Sequence, residues 1–374
     1  MIRIISVFLA FTFLLTPFSV LGQKGGFAEI KQLQSPQNPR LGFIIHGGAG
    51  VIKKGTLTPE QEAEYVKKLE ESVTAGYKAL QDGKKAVEAV EIAIRILEDS
   101  PLFNAGKGAV FTADGKNELD ASIMEGKTLK AGAVAGLHHV KNPISLARAV
   151  MERSPHVMMI GDGAEVFAKE MGIELVAEKY FWTQRRWDAL QQVIKEEKEK
   201  EKAKREREKG SGRLISASPT NEPIYAGMTP GQLLGENKFG TVGAVALDKD
   251  GNIAAGTSTG GMTNKKYGRV GDAPIIGAGT FANNNTCGVS ATGWGEFFIR
   301  LGVARDISAQ VEYRAMPVQQ AADFVLKKVK ALGGDGGVVV LDKFGNIGIS
   351  FNSEGMYRAY IGPDGKPVVK IYEN

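Results

Sequence analysis

At 374 residues, 43% hydrophobic and 24% charged, the chain has the balance of a soluble globular protein and not of a disordered, fibrous or multi-span membrane one. A formal charge of +5 would suit an anionic partner, but the densest charge, at residues 195–209, alternates Lys/Arg with Glu and reads as a solvated helix or linker, which argues against nucleic acid. The one cysteine, Cys287, excludes an intrachain disulfide and a multi-cysteine zinc site and reads as a buried or idle thiol.

The chain opens with Arg3, an apolar run over residues 4–16 and the small residue Gly22. This is the layout of a signal peptide over 1–22. The run is short of the ~20 residues that span a bilayer, so export to periplasm or medium is expected, with no stable membrane association once the leader is removed. Residues 42–45 read as a buried strand entering a glycine turn, His46-Gly47-Gly48-Ala49-Gly50. Thr58-Pro59-Glu60-Gln61 is a capping box with proline at the first helical position, and Tyr65, Leu69, Val73 and Leu80 continue one helix face until Gly83. A second helix follows over 86–98, with Val87, Val90, Ile94 and Leu97 inward.

Three segments, 108–122, 243–259 and 337–353, read as hairpins with turns at Ala113-Asp114-Gly115-Lys116, Asp248-Lys249-Asp250-Gly251 and Asp342-Lys343-Phe344-Gly345. The last two share nearly one sequence, which points to common strand-and-turn demands and not to a solenoid repeat. Further helices are expected at 144–153, 164–170, 296–305 and 317–332. Strands in hairpins and helices in pairs imply the α+β class, antiparallel sheets covered by helices. Residues 195–239 read as an exposed, easily cut linker.

That linker ends at Gly240, and Thr241 opens a well-formed strand. Were the Gly240–Thr241 bond cut, Thr241 would carry a hydroxyl and a free α-amine on one residue, and the amine could serve as general base for its own nucleophile. Its ordinary pKa of about 7.7–8.0 suits that role near neutrality. A rival lies in Gly256-Thr257-Ser258-Thr259-Gly260, which matches the nucleophile elbow of serine esterases, with His46-Gly47-Gly48-Ala49-Gly50 as an oxyanion loop. That architecture needs its histidine after the serine, whereas His46, His138, His139 and His156 all precede Ser258.

The runs 240–248, 257–265, 268–274, 277–282 and 291–296 resemble the plant-type asparaginase/isoaspartyl peptidase family of N-terminal-nucleophile hydrolases. His46 to Gly50, Phe103-Asn104-Ala105-Gly106 and Asp120-Ala121-Ser122-Ile123-Met124 fit the same family in the same order, so the resemblance covers the chain from about residue 42 to its end.

The resemblance implies a four-layer αββα sandwich, a precursor cut between Gly240 and Thr241, a large subunit over 23–240 with a charged linker at about 195–240, and a small subunit over 241–374. It implies Thr241 as nucleophile, Thr259 orienting it, and Thr292 with Gly293 donating to the oxyanion. Arg269 and Asp272 would grip the α-carboxylate and α-ammonium of an aspartyl unit, with Asn104 near the nucleophile. No cofactor is implied for the chemistry, and a structural sodium ion would sit on backbone carbonyls of the loop holding Leu97, Glu98, Ser100, Phe103, Ala105 and Lys107. The partners implied are a small-molecule or dipeptide substrate, asparagine or a β-aspartyl peptide, and a second copy in an (αβ)₂ assembly. Two other readings stay open. One is a glycosylasparaginase-like hydrolase, although that group usually has aspartate where this chain has Gly240. The other is an exported, non-catalytic amino-acid-binding protein of the same fold.

Overall fold

The computed structural model describes residues 41–50, 52–210 and 240–372; the expected leader and the stretch 211–239 lie outside the described residues. Among the described residues, an eight-stranded sheet runs in the order β12 (Pro367–Tyr372), β11 (Gly355–Ile361), β1 (Gly42–Gly50), β5 (Val242–Leu247), β6 (Ile253–Thr259), β2 (Leu119–Glu125), β3 (Ala131–Leu137) and β4 (Met158–Ile160). Its pairs are antiparallel except β3–β4. A four-stranded antiparallel sheet has the order β10 (Ile347–Phe351), β9 (Gly336–Asp342), β8 (Cys287–Gly293) and β7 (Thr280–Ala282).

Two hydrophobic cores hold these sheets. The first gathers Leu69 and Val73 of α1 (Pro59–Gln81), Val90 and Ile94 of α2 (Ala86–Glu98) and Ile144 and Val150 of α3 (Pro143–Arg153) with Val242, Ala244 and Ala246 of β5. The second gathers Val245 and Leu247 of the same strand with Val289 of β8, Val338 and Val340 of β9, Ile307 of α7 (Val303–Arg314) and Val325 and Val329 of α8 (Val318–Ala331). Alternate residues of β5 therefore enter different cores, as the two-residue period of a strand demands. The protein is a mixed helix-and-sheet α+β structure.

Several expected elements form as read. The capping box at Thr58 is present, with Gln61 N–H on the Thr58 hydroxyl and the Gln61 side chain on Thr58 N–H. The second helix spans Ala86–Glu98, and the hairpins β5–β6 and β9–β10 pair in antiparallel register. Their near-identical turns have one physical cause: an aspartate carboxylate takes the turn's backbone N–H groups. Asp248 Oδ1 accepts from Asp250 N at 3.0 Å and Asn252 N at 2.9 Å, and Asp342 Oδ1 accepts from Phe344 N and Asn346 N at 2.8 Å each. Asp248 also takes Ala86 N–H at the start of α2 through Oδ2, at 3.1 Å. Asp248→Ala should therefore cost about 2–3 kcal/mol in chemical denaturation and Asp342→Ala about 1–2 kcal/mol. Equal losses would mean that the link to α2 contributes nothing.

Other expectations are corrected. His46 to Gly50 is not a turn but the second half of β1, which pairs with β11 through a bulge between His46 and Gly48. Residues 108–122 do not make a two-stranded hairpin. Phe111 and Asn117 form a single bridge, and β2 pairs instead with β3 and β6. The helix expected over 296–305 is two, α6 (Gly295–Leu301) and α7, because Gly302 between them is left-handed at φ 57°. After α4 (Gly161–Glu170), the charged run belongs to α5 (Gln184–Gly210), anchored at its start by buried Leu190 and by Arg186, whose Nε donates to Gly108 O at 2.8 Å.

Candidate active site around Thr241

Strand register places the candidate residues. β5 pairs β6 with Val242 opposite Ser258, so the pairing extends to set Thr241 opposite Thr259, and Asp120 of β2 lies on the far side of Thr259. Thr241 Oγ1 donates to Thr259 Oγ1 at 3.1 Å, and both residues are buried. Thr259 Oγ1 also accepts Gly261 N–H at 3.0 Å, which fixes its hydroxyl against the turn that follows β6.

Parity also removes the serine elbow. Ser258 points to the opposite face from Thr257 and Thr259, where its hydroxyl donates to the buried Glu98 carboxylate at 2.6 Å. Burial pushes the Glu98 carboxyl up to about 8, with the Ser258 hydrogen bond pulling it down. Ser258 thus has a carboxyl partner and no histidine, and sits within a strand, not at a strand-to-helix turn.

Gly240 is held closely. Its carbonyl accepts the N–H of Asn104 at 3.1 Å, and the carbonyl of Asn104 accepts Gly260 N–H at 3.1 Å. The Asn104 side chain donates to Gly261 O at 2.7 Å and accepts Val110 N–H at 3.0 Å, so it ties the Thr259 turn to the loop after α2. On the other side Gly48 has φ 117°, and a Cβ there would lie 2.6 Å from the Gly240 Cα. Only glycine permits both the conformation and the approach.

Thr292 and Gly293 close β8. Thr292 is fully buried and its hydroxyl accepts Ala49 N–H at 3.3 Å, which joins the end of β8 to β1. Arg269 is engaged by Glu296, a partner that the sequence reading left without a role: Nε donates to Oε1 and Nη2 to Oε2, each at 2.8 Å. Burial raises the Glu296 carboxyl, but the Arg269 fork outweighs it and holds the group below its usual range. Asp272 is buried with Oδ2 unpartnered in the protein; burial pushes its carboxyl up to about 6, with Arg269 pulling it down. Arg269 and Asp272 are brought together, one as a fork with Nη1 unspent on Glu296 and the other as a carboxylate with one oxygen that no hydrogen bond reaches.

The end of α2 and the loop after it carry the residues expected around sodium. A Cβ on Gly106 would fall 2.4 Å from the Glu98 carbonyl oxygen, and one on Gly108 would fall 2.0 Å from that of Phe103. Backbone carbonyls are neutral oxygen donors of the kind that a hard monovalent cation takes. The Ala105 carbonyl also accepts Gly108 N–H, and that of Leu97 accepts both Ser100 N–H and Asp99 N–H. Cys287 is fully buried, and burial pushes its thiol up to about 12, in keeping with an idle group.

Two further groups near the site lie in runs that the sequence singles out, but carry no role there. Lys265 is buried beside Asp120, at 3.9 Å, and Glu118, at 3.5 Å. His46 bridges Thr241 O at 3.0 Å and Ser290 Oγ at 2.8 Å. Period-two alternation along β1, β5, β6 and β8 is the pattern that could have grouped His46 with Ser290 and Thr257.

The sequence matches the family described as Asparaginase over residues 39–371. It is 47% identical over 331 residues to the isoaspartyl peptidase of Escherichia coli (strain K12), covering 88% of this chain and 95% of that protein. It is 41% identical over 331 residues to the probable isoaspartyl peptidase/L-asparaginase 2 of Arabidopsis thaliana, covering 88% and 98%. The plant-type L-asparaginase of Pyrococcus horikoshii (strain ATCC 700860 / DSM 12428 / JCM 9974 / NBRC 100139 / OT-3) is 44% identical over 321 residues, 85% of this chain and 95% of that one.

Proposed function

Since the chain belongs to the asparaginase family, we propose that it hydrolyses the side-chain amide of L-asparagine and the β-linkage of isoaspartyl peptides, after cutting itself before Thr241. The observation that carries this is the setting of Thr241: a hydroxyl oriented by Thr259, next to a Gly240 carbonyl that already accepts a backbone N–H. The fold inferred is the four-layer αββα sandwich. Its support is that one face of β5 shares a core with α1, α2 and α3 and the other shares a core with the second sheet, α7 and α8.

In the precursor, Thr241 Oγ attacks the Gly240 carbonyl carbon, and the Asn104 N–H is placed to donate to the oxygen as it gains charge. The C–N bond breaks, leaving an ester on Oγ and freeing the Thr241 amine. Water then hydrolyses the ester and releases Gly240 as a C-terminus. In the mature enzyme the amine accepts the hydroxyl proton, Oγ attacks the substrate amide, and ammonia or an amino acid leaves with a proton. Hydrolysis of the resulting acyl-enzyme gives aspartate. Thr292 and Gly293 are the proposed oxyanion donors. Arg269, its Nε and Nη2 spent on Glu296, offers Nη1 to the α-carboxylate, while Asp272 takes the α-ammonium.

The chemistry needs no cofactor. A sodium ion on the carbonyls of Leu97, Glu98, Ser100, Phe103, Ala105 and Lys107 is proposed as a structural clip for the loop that presents Asn104. Export by the leader over 1–22 and pairing into an (αβ)₂ assembly belong to the same proposal, read out by the mature N-terminus and by the mass in light scattering. The direct test is incubation of processed protein with asparagine and with a β-aspartyl dipeptide. Ammonia and aspartate are expected; release of neither overturns the reading.

A further inference from the structure

Thr241 is held by its backbone as well as by its hydroxyl. Between the two sheets lies a file of buried polar side chains, each fully enclosed: Ser122 on β2, Thr280 on β7, Thr257 on β6, Ser290 on β8 and His46 on β1. The contacts run from Ser122 to Thr280 at 2.8 Å, Thr280 to Thr257 at 2.5 Å, Thr257 to Ser290 at 2.7 Å, Ser290 to His46 Nε2 at 2.8 Å, and His46 Nδ1 to Thr241 O at 3.0 Å. Ser122 also reaches Ala273 O at 2.6 Å, the residue after Asp272.

Donor counting gives this file a direction. A carbonyl oxygen only accepts, so His46 Nδ1 carries the ring proton and Nε2 must accept. Ser290 has one hydroxyl proton and two acceptors in reach, His46 Nε2 at 2.8 Å and the Gly256 carbonyl at 3.1 Å; the shorter contact gives the proton to Nε2, and Ser290 then accepts from Thr257. Thr257 likewise gives its proton to Ser290 at 2.7 Å over the Gly279 carbonyl at 3.2 Å, and accepts from Thr280. One carbonyl, that of Thr241, thereby sets the orientation of three hydroxyls in series, and each bond polarises the next.

We propose that His46 is a positioning residue for the nucleophile: as the Nδ1-protonated tautomer, backed by the Ser290–Thr257–Thr280 hydroxyls, it anchors the Thr241 carbonyl and so aims the Thr241 side chain. This rests on Thr241 being the nucleophile. The imidazole is not a second general base, because its contact is the carbonyl and not the hydroxyl of Thr241. Burial lowers it to about 3, against the pull of the Thr241 carbonyl, so it stays neutral wherever the amine of Thr241 can act. A displacement of a fraction of an ångström at a nucleophile costs rate far more than binding, because Arg269 and Asp272 still hold the substrate.

Three replacements separate the two ends of the ring. His46→Asn keeps an N–H donor near the Nδ1 position, His46→Gln places its amide near Nε2, and His46→Leu removes both. Processing half-time and kcat should stay within about threefold of wild type in His46→Asn and fall by roughly tenfold to a hundredfold in the other two, with KM within about twofold throughout. Ser290→Ala, which keeps the ring but removes its donor, should lower kcat by about tenfold at unchanged KM. It decides the matter if the His46 variants do not fold. Equal behaviour of the three His46 variants, or a kcat for Ser290→Ala equal to wild type, overturns the proposal. A Thr241→Ala control that still turns over substrate would instead show that the nucleophile itself is wrongly assigned.

Discussion

Thr241→Ala is expected to yield one intact chain with no measurable release of ammonia or aspartate, a loss of at least about 10⁴-fold in kcat. Two separate events need this hydroxyl: the attack on Gly240 that frees the amine, and the attack on substrate. Thr241→Ser keeps an oxygen but not the methyl group that restricts the rotamer, so it should process and turn over slowly, and not be silent. Mass spectrometry reads the first event directly. Wild type should give a small chain beginning at Thr241, and the alanine variant a single precursor mass. An intact wild-type chain that still hydrolyses asparagine would remove the free amine from the mechanism, and with it the reason for the cut.

The second large effect lies at Asp272. The carboxylate is buried, its Oδ2 has no partner within the protein, and burial sets its pKa at about 6 despite Arg269. In the proposed mechanism the substrate's α-ammonium would supply the missing hydrogen-bond donor to Oδ2. Asp272→Asn keeps the shape and removes the charge, and truncating one side of a buried charged pair costs about 2–5 kcal/mol, or roughly 30- to several-thousand-fold in kcat/KM. The sign with pH follows from the raised value. Above about 6 the free-enzyme carboxylate is charged and attracts the ammonium; below it the carboxyl is neutral and the attraction is lost. The Thr241 amine adds its own acid limb to both proteins, so the ratio of wild type to Asp272→Asn isolates Asp272. That ratio should be large above pH about 6 and shrink toward unity as the pH falls through it. A ratio constant across that range would separate Asp272 from the substrate ammonium.

What could be read from the sequence is where local signals and the fold agree. The α2 boundaries follow from a clean helical stripe, and the β5–β6 and β9–β10 hairpins from aspartate turns whose carboxylates take backbone N–H groups. Failures have equally local causes. His46 to Gly50 looked like a turn because five residues with four small ones carry no strand propensity, yet pairing with β11 makes it strand and lets Gly48 approach Gly240. Residues 108–122 have a hairpin's turn residues, but the partners of β2 are distant in sequence, β3 and β6. Motif residues such as Thr241, Thr259 and Arg269 could be named in advance. Glu296 and Ser290 could not, because their roles depend on contacts between elements that no spacing rule reports.

The strand order of the larger sheet has a consequence for the protein once it is cut. A break before Thr241 leaves β1 to β4 on one polypeptide and β5 to β12 on the other, yet the sheet alternates them: β12 and β11, then β1, then β5 and β6, then β2, β3 and β4. The two products are interdigitated like the fingers of clasped hands, with three seams of main-chain hydrogen bonds crossing from one to the other. Neither can leave without tearing the sheet. Unfolding also ceases to be a private event of one molecule, because the halves must find each other again, so recovery after denaturation should depend on protein concentration in the cut form and not in the uncut one.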